Sequence, residues 1–441
     1  MKKSLVLFYA LTAAFGALVV GLNMGGISGA IDLISTEFSL SALSKGFVTG
    51  ALMIGCLFGA LFGGRLCDRF GRKPMLLVSA AILCISSLGC SILSHSAAAL
   101  TAYRFIGGLG VGILSAVIPT YITEISPAKL RGTFVSFYQM GVVIGILIAY
   151  CANLFFAKSP LDWHLMLGLP LAFGVIDAVI LLPLPESPRW LIQMGYTQRA
   201  EKAIVKYNFS PEDAEEIRAS GNERKEEKAA FSELFKGKMG KVVFLGSMLA
   251  FFQQITGINV VVNYAPSILN NLGIAGSDPL LQTVFIGIAN LVFTVIAIYL
   301  VDKFPRKTLL VTGCIGCFVC LAYLAYAYSV ANPSSIGVLA AILGFIAFFA
   351  LSLSPLMFVV TSEMYPSRIR GTAMSLSTGI SWACAFIVVQ FYPWVESTLG
   401  TGAAFGIFAA LILAAGIFIQ FCIPETKDKS LEEIESELKL R

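Results

Sequence analysis

The chain has 441 residues, of which 57% are hydrophobic and 13% charged, and its mean hydropathy is +0.82. A soluble domain carries about 25% charged residues, and half that value cannot coat a water-soluble surface of this size. The net charge of +5 therefore reads as a topology signal, and no nucleic-acid partner is expected.

The apolar residues come in runs of about 20, the length a helix needs to cross roughly 30 Å of hydrocarbon. Twelve runs are found, near 5–27, 44–64, 75–94, 98–120, 133–156, 163–183, 241–263, 279–301, 307–328, 335–361, 371–394 and 402–423. Barrel strands would alternate over about 10 residues instead, so the fold class expected is an all-α membrane protein. The start, Met1-Lys2-Lys3 before an apolar stretch, imitates a secretory signal. Its run is too long for that and has no Ala-x-Ala site, so it reads as an uncleaved first span.

Apart from Lys45, Lys158 and the intraspan Arg104, the Lys and Arg residues fall on one side of this arrangement. Positive charge concentrates on the cytoplasmic side, which predicts both termini there and a cell-membrane location. Cys314, Cys317 and Cys320 sit three apart on the ninth span. A metal would want thiolates in a closed polar site; these read as small polarizable packing residues. The two His residues, His95 and His164, fall in outer loops, and no nucleophile–base spacing stands out. Neither an enzyme nor a cofactor or metal is expected.

Three polar motifs recur in order. Asp68-Arg69-Phe70-Gly71-Arg72-Lys73 answers Asp302-Lys303-Phe304-Pro305-Arg306-Lys307, at an offset of 234 residues. Glu124 through Arg131-Gly132-Thr133 answers Glu363 through Arg370-Gly371-Thr372, and Pro185-Glu186 answers Pro424-Glu425, both at 239 residues. The chain is a duplication of six spans, as in transporters built from parallel halves. The boundaries expected are a first half over 1–183, a charged linker with short amphipathic helices over 184–240, a second half over 241–423 and a tail over 424–441.

These motifs resemble the sugar porters of the major facilitator superfamily, over nearly the whole chain. The segment Pro185-Glu186-Ser187-Pro188-Arg189-Trp190-Leu191 is similar to the family's mid-chain signature, and Pro424-Glu425-Thr426-Lys427 to its closing one. Gln253-Gln254-Ile255-Thr256-Gly257-Ile258-Asn259 resembles the sugar-binding seventh span, and Arg104-Phe105 with Gly107 the start of the fourth. The resemblance implies the major facilitator fold and a monosaccharide substrate, hexose or pentose, carried by alternating access across a lipid bilayer. Three positions depart from the pattern. Pro305 replaces the usual Gly, Phe358 a Trp, and Ser381 the Asn or Gln before Trp382. Pro fixes φ, so the Pro305 loop is expected to be the stiffer copy.

Sugar hydroxyls donate and accept hydrogen bonds, as amides do. Gln139, Gln253, Gln254, Asn259 and Asn290 supply amides, and Phe358 and Trp382 supply faces for the ring. All match family positions that contact sugar. On one ideal helix Gln253 and Asn259 would lie about 120° apart, so unwinding at Gly257 is expected to turn both toward the cavity. Gly25, Gly26, Gly29 and Pro355 mark similar weak points, with close helix packing an equal explanation of the glycines. The resemblance also implies a cytoplasmic gate network. It comprises Asp68, Arg72, Glu124, Arg131, Glu186 and Arg189 in the first half, with Asp302, Arg306, Glu363, Arg370 and Glu425 in the second. Its ion pairs would tie the halves together when the cavity opens outward.

Proton-coupled relatives carry an Asp in the first span, facing the Arg that begins the fourth. Here that position is Asn23, while the Arg is kept as Arg104. An amide cannot exchange a proton near neutral pH, so facilitated diffusion is expected. Counted from the ends of the apolar runs, Asn23 lies roughly 6 Å deep and Arg104 roughly 9 Å, close enough in depth to pair. Asp177 in the sixth span lies roughly 21 Å deep, too deep to replace the missing acid. An intramembrane acid is nonetheless a functional candidate by default, and proton symport through Asp177 or another acid is the alternative. A non-transporting sugar sensor and an organic-acid carrier of the same fold are further alternatives. The first wants a signalling tail, the second cationic residues in the cavity.

Overall fold

The computed structural model describes residues 3–126, 131–159, 161–207, 209, 211–219, 234–235, 237–271, 278–330, 334–366, 369–427, 429 and 433. Among the described residues there is no strand. Hydrocarbon offers no partner to a backbone N–H or C=O, so a spanning segment must satisfy its own. Twelve helical segments are long and apolar enough to cross a membrane. The first six are α1 (Lys3–Glu37), α2 (Ala42–Phe70), α3 (Arg72–Leu88, continued by a π-helical turn over Gly89–Leu93), α4 (Ala97–Ile125), α5 (Arg131–Phe156) and α6 (Asp162–Leu181). Three short helices follow, α7 (Pro188–Gln193), α8 (Thr197–Tyr207) and α9 (Pro211–Ala219). The seventh span consists of α10 (Gly237–Ile255) and α11 (Ile258–Asn270). Then come α12 (Pro279–Lys303) and α13 (Arg306–Ala327), the tenth span as α14 (Ser335–Leu351) plus α15 (Leu353–Met364), α16 (Arg370–Leu399) and α17 (Thr401–Cys422).

The first apolar run ends at residue 27, yet α1 continues to Glu37. Ile27, Ala30, Ile31 and Ile34 recur at helical spacing and are all fully buried, while Asp32 and Thr36 lie off that face. A window that averages hydropathy stops where an amphipathic stretch begins. The depth estimate for Asn23, counted from residue 27, therefore does not hold. Gly25, Gly26 and Gly29 do not break α1 either. A Cβ on Gly25 would stand 3.0 Å from the Ala149 side chain and one on Gly29 2.7 Å from Asn153, so these glycines serve close packing on α5.

The chain divides into two compact units, Met1–Gly26 with Ile54–Ala149 and His164–Lys228, and Ile27–Met53 with Tyr150–Trp163 and Ala229–Arg441. In the first unit, backbone-to-backbone packing rests on glycine. A Cβ on Gly21 would overlap Val142 O, one on Gly145 would overlap Leu18 O, and one on Gly112 would overlap Cys56 O. Small residues of this kind let membrane helices approach closely. The short helices are fixed to this unit by polar contacts. Tyr121 of α4 and Tyr207 of α8 share a hydroxyl contact of 2.6 Å, and both reach Pro185 O. Ile204, Ala214 and Ile217 form a small core between α8 and α9.

Substituting Gly112→Val should lower the thermal midpoint of the detergent-solubilised protein, since overpacking costs about 1–3 kcal/mol. Gly64→Val, where an added Cβ meets nothing within 4 Å, should leave it nearly unchanged.

Candidate functional site

The break between α10 and α11 brings three amides into line. Gly257 adopts the left-handed region at φ 87°, and a Cβ there would press to 2.7 Å of the Phe408 ring. Such a backbone suits glycine. Thr256 Oγ1 donates to Gln253 O at 3.0 Å, occupying a carbonyl at the end of α10. Helix resumes as the N–H groups of Val260 and Val261 donate to Gly257 O. Across this break Asn259 Nδ2 donates to Gln254 Oε1 at 2.5 Å, and Gln254 Nε2 to Gln253 Oε1 at 3.2 Å. Gln253 Nε2 in turn donates to Leu353 O at 3.1 Å and Ser354 O at 3.4 Å, in the first turn of α15. Gln253 and Asn259 are buried and Gln254 half-buried. Asn259 Oδ1 accepts no hydrogen bond among the described residues, so the chain ends on a lone acceptor.

The tenth span breaks at Ser352 (φ −128°, ψ −84°), not at Pro355. Pro355 stands in the first turn of α15, where a missing N–H is tolerated. Asn290 on α12 and Trp382 on α16 are half-buried, and Phe358 on α15 is exposed. Among the described residues no hydrogen bond or ring contact joins these three to the amide chain. Gln139 is half-buried on α5 in the other unit. Asn263 was not singled out from the sequence. It is buried and donates from Nδ2 to Asn259 O at 2.6 Å. Its spacing of four residues from Asn259 was the available signal.

In the first unit Asn23 is 9% exposed, and its Nδ2 donates to Val19 O at 2.9 Å within its own helix. Arg104 is buried on α4. Asp177 is fully buried, and neither carboxyl oxygen has a hydrogen-bond partner among the described residues. An added Cβ on Gly16 would stand 3.3 Å from its Oδ2, which places the carboxyl against α1.

The repeated motifs build the same cradle in each unit. In the first, Glu186 accepts from Arg72 N at 3.0 Å and from Lys73 N at 3.2 Å, at the start of α3. Arg72 binds Glu124 at 2.6 Å and Asp68 at 3.4 Å. In the second, Glu425 accepts from Arg306 N at 2.9 Å and Lys307 N at 3.1 Å, at the start of α13. Arg306 pairs with Glu363 at 3.6 Å, and Thr426 Oγ1 also donates to Glu363. A carboxylate over a helix N-terminus meets unpaired N–H groups and the positive end of the dipole. Burial pushes the Glu186 carboxyl up, while the N–H groups of Ser187, Lys73 and Arg72 and the Arg72 charge act against that. Gly71 reaches its turn with φ 101°, whereas Pro305 does so at φ −57°. The second loop thus takes a different backbone path to the same capping bonds. Arg189 pairs with Glu216 at 2.7 Å, and Arg370 Nε donates to Tyr365 O at 3.2 Å. The side chains of Arg131 and Asp302 lie outside the described residues.

Comparison with known proteins gives the family. A family model described as sugar (and other) transporter matches residues 9–438. The arabinose-proton symporter of Bacillus subtilis is 35% identical over 438 residues, covering 98% of this chain and 94% of that protein. The glucose transporter GlcP of Staphylococcus epidermidis is 35% identical, covering 100% and 99%. The xylose transporter XylE from E. coli, solved in an inward open conformation, superposes with a TM-score of 0.87 at 31% identity, covering 98% of this chain and 99% of that one. The chain belongs to the sugar transporter family of the major facilitator superfamily, as a multi-pass membrane protein.

Proposed function

We propose that this chain carries a monosaccharide by alternating access, as facilitated diffusion. The observation that carries the reading is Asn23. The position where a coupling acid is expected holds an amide whose N–H group is already committed to Val19 O. The amide chain Gln253–Gln254–Asn259, together with Gln139, Asn290, Phe358 and Trp382, forms the sugar site in this reading. Neutral donors and acceptors suit an uncharged polyol, and each net hydrogen bond contributes only about 1 kcal/mol, weak enough for a carrier to release its cargo. The halves 1–183 and 241–423 rock about this site, joined by 184–240. The gate residues Asp68, Arg72, Glu124, Arg131, Glu186, Arg189, Asp302, Arg306, Glu363, Arg370 and Glu425 bias the two states on the side that also holds both termini, in the cytoplasm. Contacts made in one state alone are what shift such an equilibrium.

Proton symport is the second reading, supported by Asp177 and by the arabinose-proton symporter among the relatives. A buried carboxyl without a partner is a group whose proton occupancy a conformational change can alter. The two readings separate in proteoliposomes. Facilitated diffusion predicts sugar counterflow without a pH gradient and no accumulation when one is imposed. Accumulation driven by that gradient and abolished by a protonophore would overturn it. Asp177→Asn then assigns the site, because symport through this residue predicts loss of accumulation with counterflow retained.

Removing Gln254 leaves Asn259 without its acceptor. Gln254→Ala should raise the KM for sugar counterflow by roughly fivefold, the factor expected for about 1 kcal/mol, while a panel of labelled hexoses and pentoses names the substrate. Unchanged KM for every transported sugar would remove Gln254 from the site.

A further inference from the structure

The second unit joins the far ends of α1 and α2 to helices from the other sequence half. Asp32, on the amphipathic extension of α1, stands at the centre. Its Oδ1 receives Lys45 Nζ of α2 at 2.6 Å, and its Oδ2 accepts from Ser267 Oγ of α11 at 2.7 Å. One carboxylate thus holds a cation from its own half and a hydroxyl from the other. The Lys45 ammonium also stands 6.0 Å above the centroid of the Tyr264 ring, within cation–π range. Beside it, Gln390 Nε2 of α16 donates to Leu43 O at 2.9 Å, and a Cβ on Gly46 would overlap Gln390 O.

We propose that Asp32, Lys45 and Ser267 form a polar latch that closes the sugar pathway at the end of the spans away from the two termini. The inference rests on carriage by alternating access. Three features distinguish a latch from a permanent brace. Its bonds are few and polar, so water can replace them on opening. Asp32 is 43% exposed in its side chain, and an ion pair so placed contributes little net stability, which keeps the open state within reach. Its third member sits on a short, interrupted helix: α11 is separated from α10 by Gly257 and bent at Tyr264 (φ −123°, ψ 15°), two residues before Pro266. Eight residues, or roughly 12 Å of helix, separate Ser267 from Asn259, so one short helix bears both the latch and part of the amide chain.

Hydrogen–deuterium exchange of the full-length protein in lipid nanodiscs tests this without requiring sugar flux. Ser267→Ala removes the hydroxyl and leaves the ion pair, Asp32→Asn keeps an acceptor and removes the charge, and Lys45→Met removes the cation. Each should raise exchange in 258–270 and 386–396 by roughly three- to tenfold, the population shift carried by about one such bond. Each should also slow exchange around 68–73 and 306–309, because opening one end closes the other. Unchanged exchange at both ends would overturn the latch, and so would a rise at both ends, which marks a structural brace. Failure of the alternating-access reading shows separately, as a wild-type protein that moves no hexose or pentose in the counterflow assay.

Discussion

A break in a membrane helix exposes backbone groups that hydrocarbon cannot satisfy, and this constraint organises the second unit. Each unsatisfied group would cost several kcal/mol. The seventh span is broken at Thr256 and Gly257, and side chains from the same sequence run repair it. Thr256 Oγ1 takes Gln253 O, and Asn263 Nδ2 takes Asn259 O. Gln253 Nε2 bridges to Leu353 O and Ser354 O, next to the break in the tenth span. Gln253 and Asn263 thus tie the broken seventh span to the start of α15 and to its own backbone. Gln253 and Asn263 each hold a backbone carbonyl, whereas Gln254 bonds only side chains, so a KM effect at Gln254 is the one least mixed with lost backbone support.

Much of the fold was legible because its causes are local. Runs of about 20 apolar residues give spans, and the motif offset gives the duplication. Gly257 was legible as a break because two amides six residues apart had to be reconciled with a period of 3.6. Misreadings arose where tertiary packing decides. The extension of α1 to Glu37 is invisible to averaged hydropathy because Asp32, Thr36 and Glu37 dilute a face that Ile27, Ala30, Ile31 and Ile34 bury completely. For Gly25 and Gly29 the sequence leaves a weak point and close packing equally open, and α5 placed against them decides for packing. Pro355 looks like a kink until the chain is seen to restart at Leu353, which puts the proline in a first turn. Asn263 carries no signature alone, since a span Asn bonding a backbone carbonyl reads the same whether or not a ligand is nearby.

The repeated cradle shows how far duplication persists in chemistry after it has faded in sequence. Glu186 and Glu425 cap α3 and α13 through the same two backbone N–H groups, and Arg72 and Arg306 each reach a Glu of the span that follows. The copies differ in strength. Arg72 to Glu124 is 2.6 Å with side-chain exposures of 5% and 12%, while Arg306 to Glu363 is 3.6 Å with 12% and 31%. Glu363 also takes a hydrogen bond from Thr426. The looser copy is the one whose turn holds Pro305 in place of glycine. An ion pair open to water contributes less than a buried one, so Arg306–Glu363 is the weaker of the two pairs.

Asn23 and Asp177 place opposite demands on the first unit. Asn23 is an amide that does not titrate, and its donor is satisfied within α1. Asp177 is a titratable carboxyl that no donor answers among the described residues. A lone buried charge costs several kcal/mol even after relaxation, far more than Leu or Val would cost in a span. The cost falls if the group holds a proton or if some state of the carrier gives it a partner. Gly16 keeps the space beside it open, since any side chain there would meet the carboxyl at about its Cβ. The pairing of a small residue on α1 with an acid on α6 means that a shift of α1 against α6 changes the surroundings of Asp177 directly.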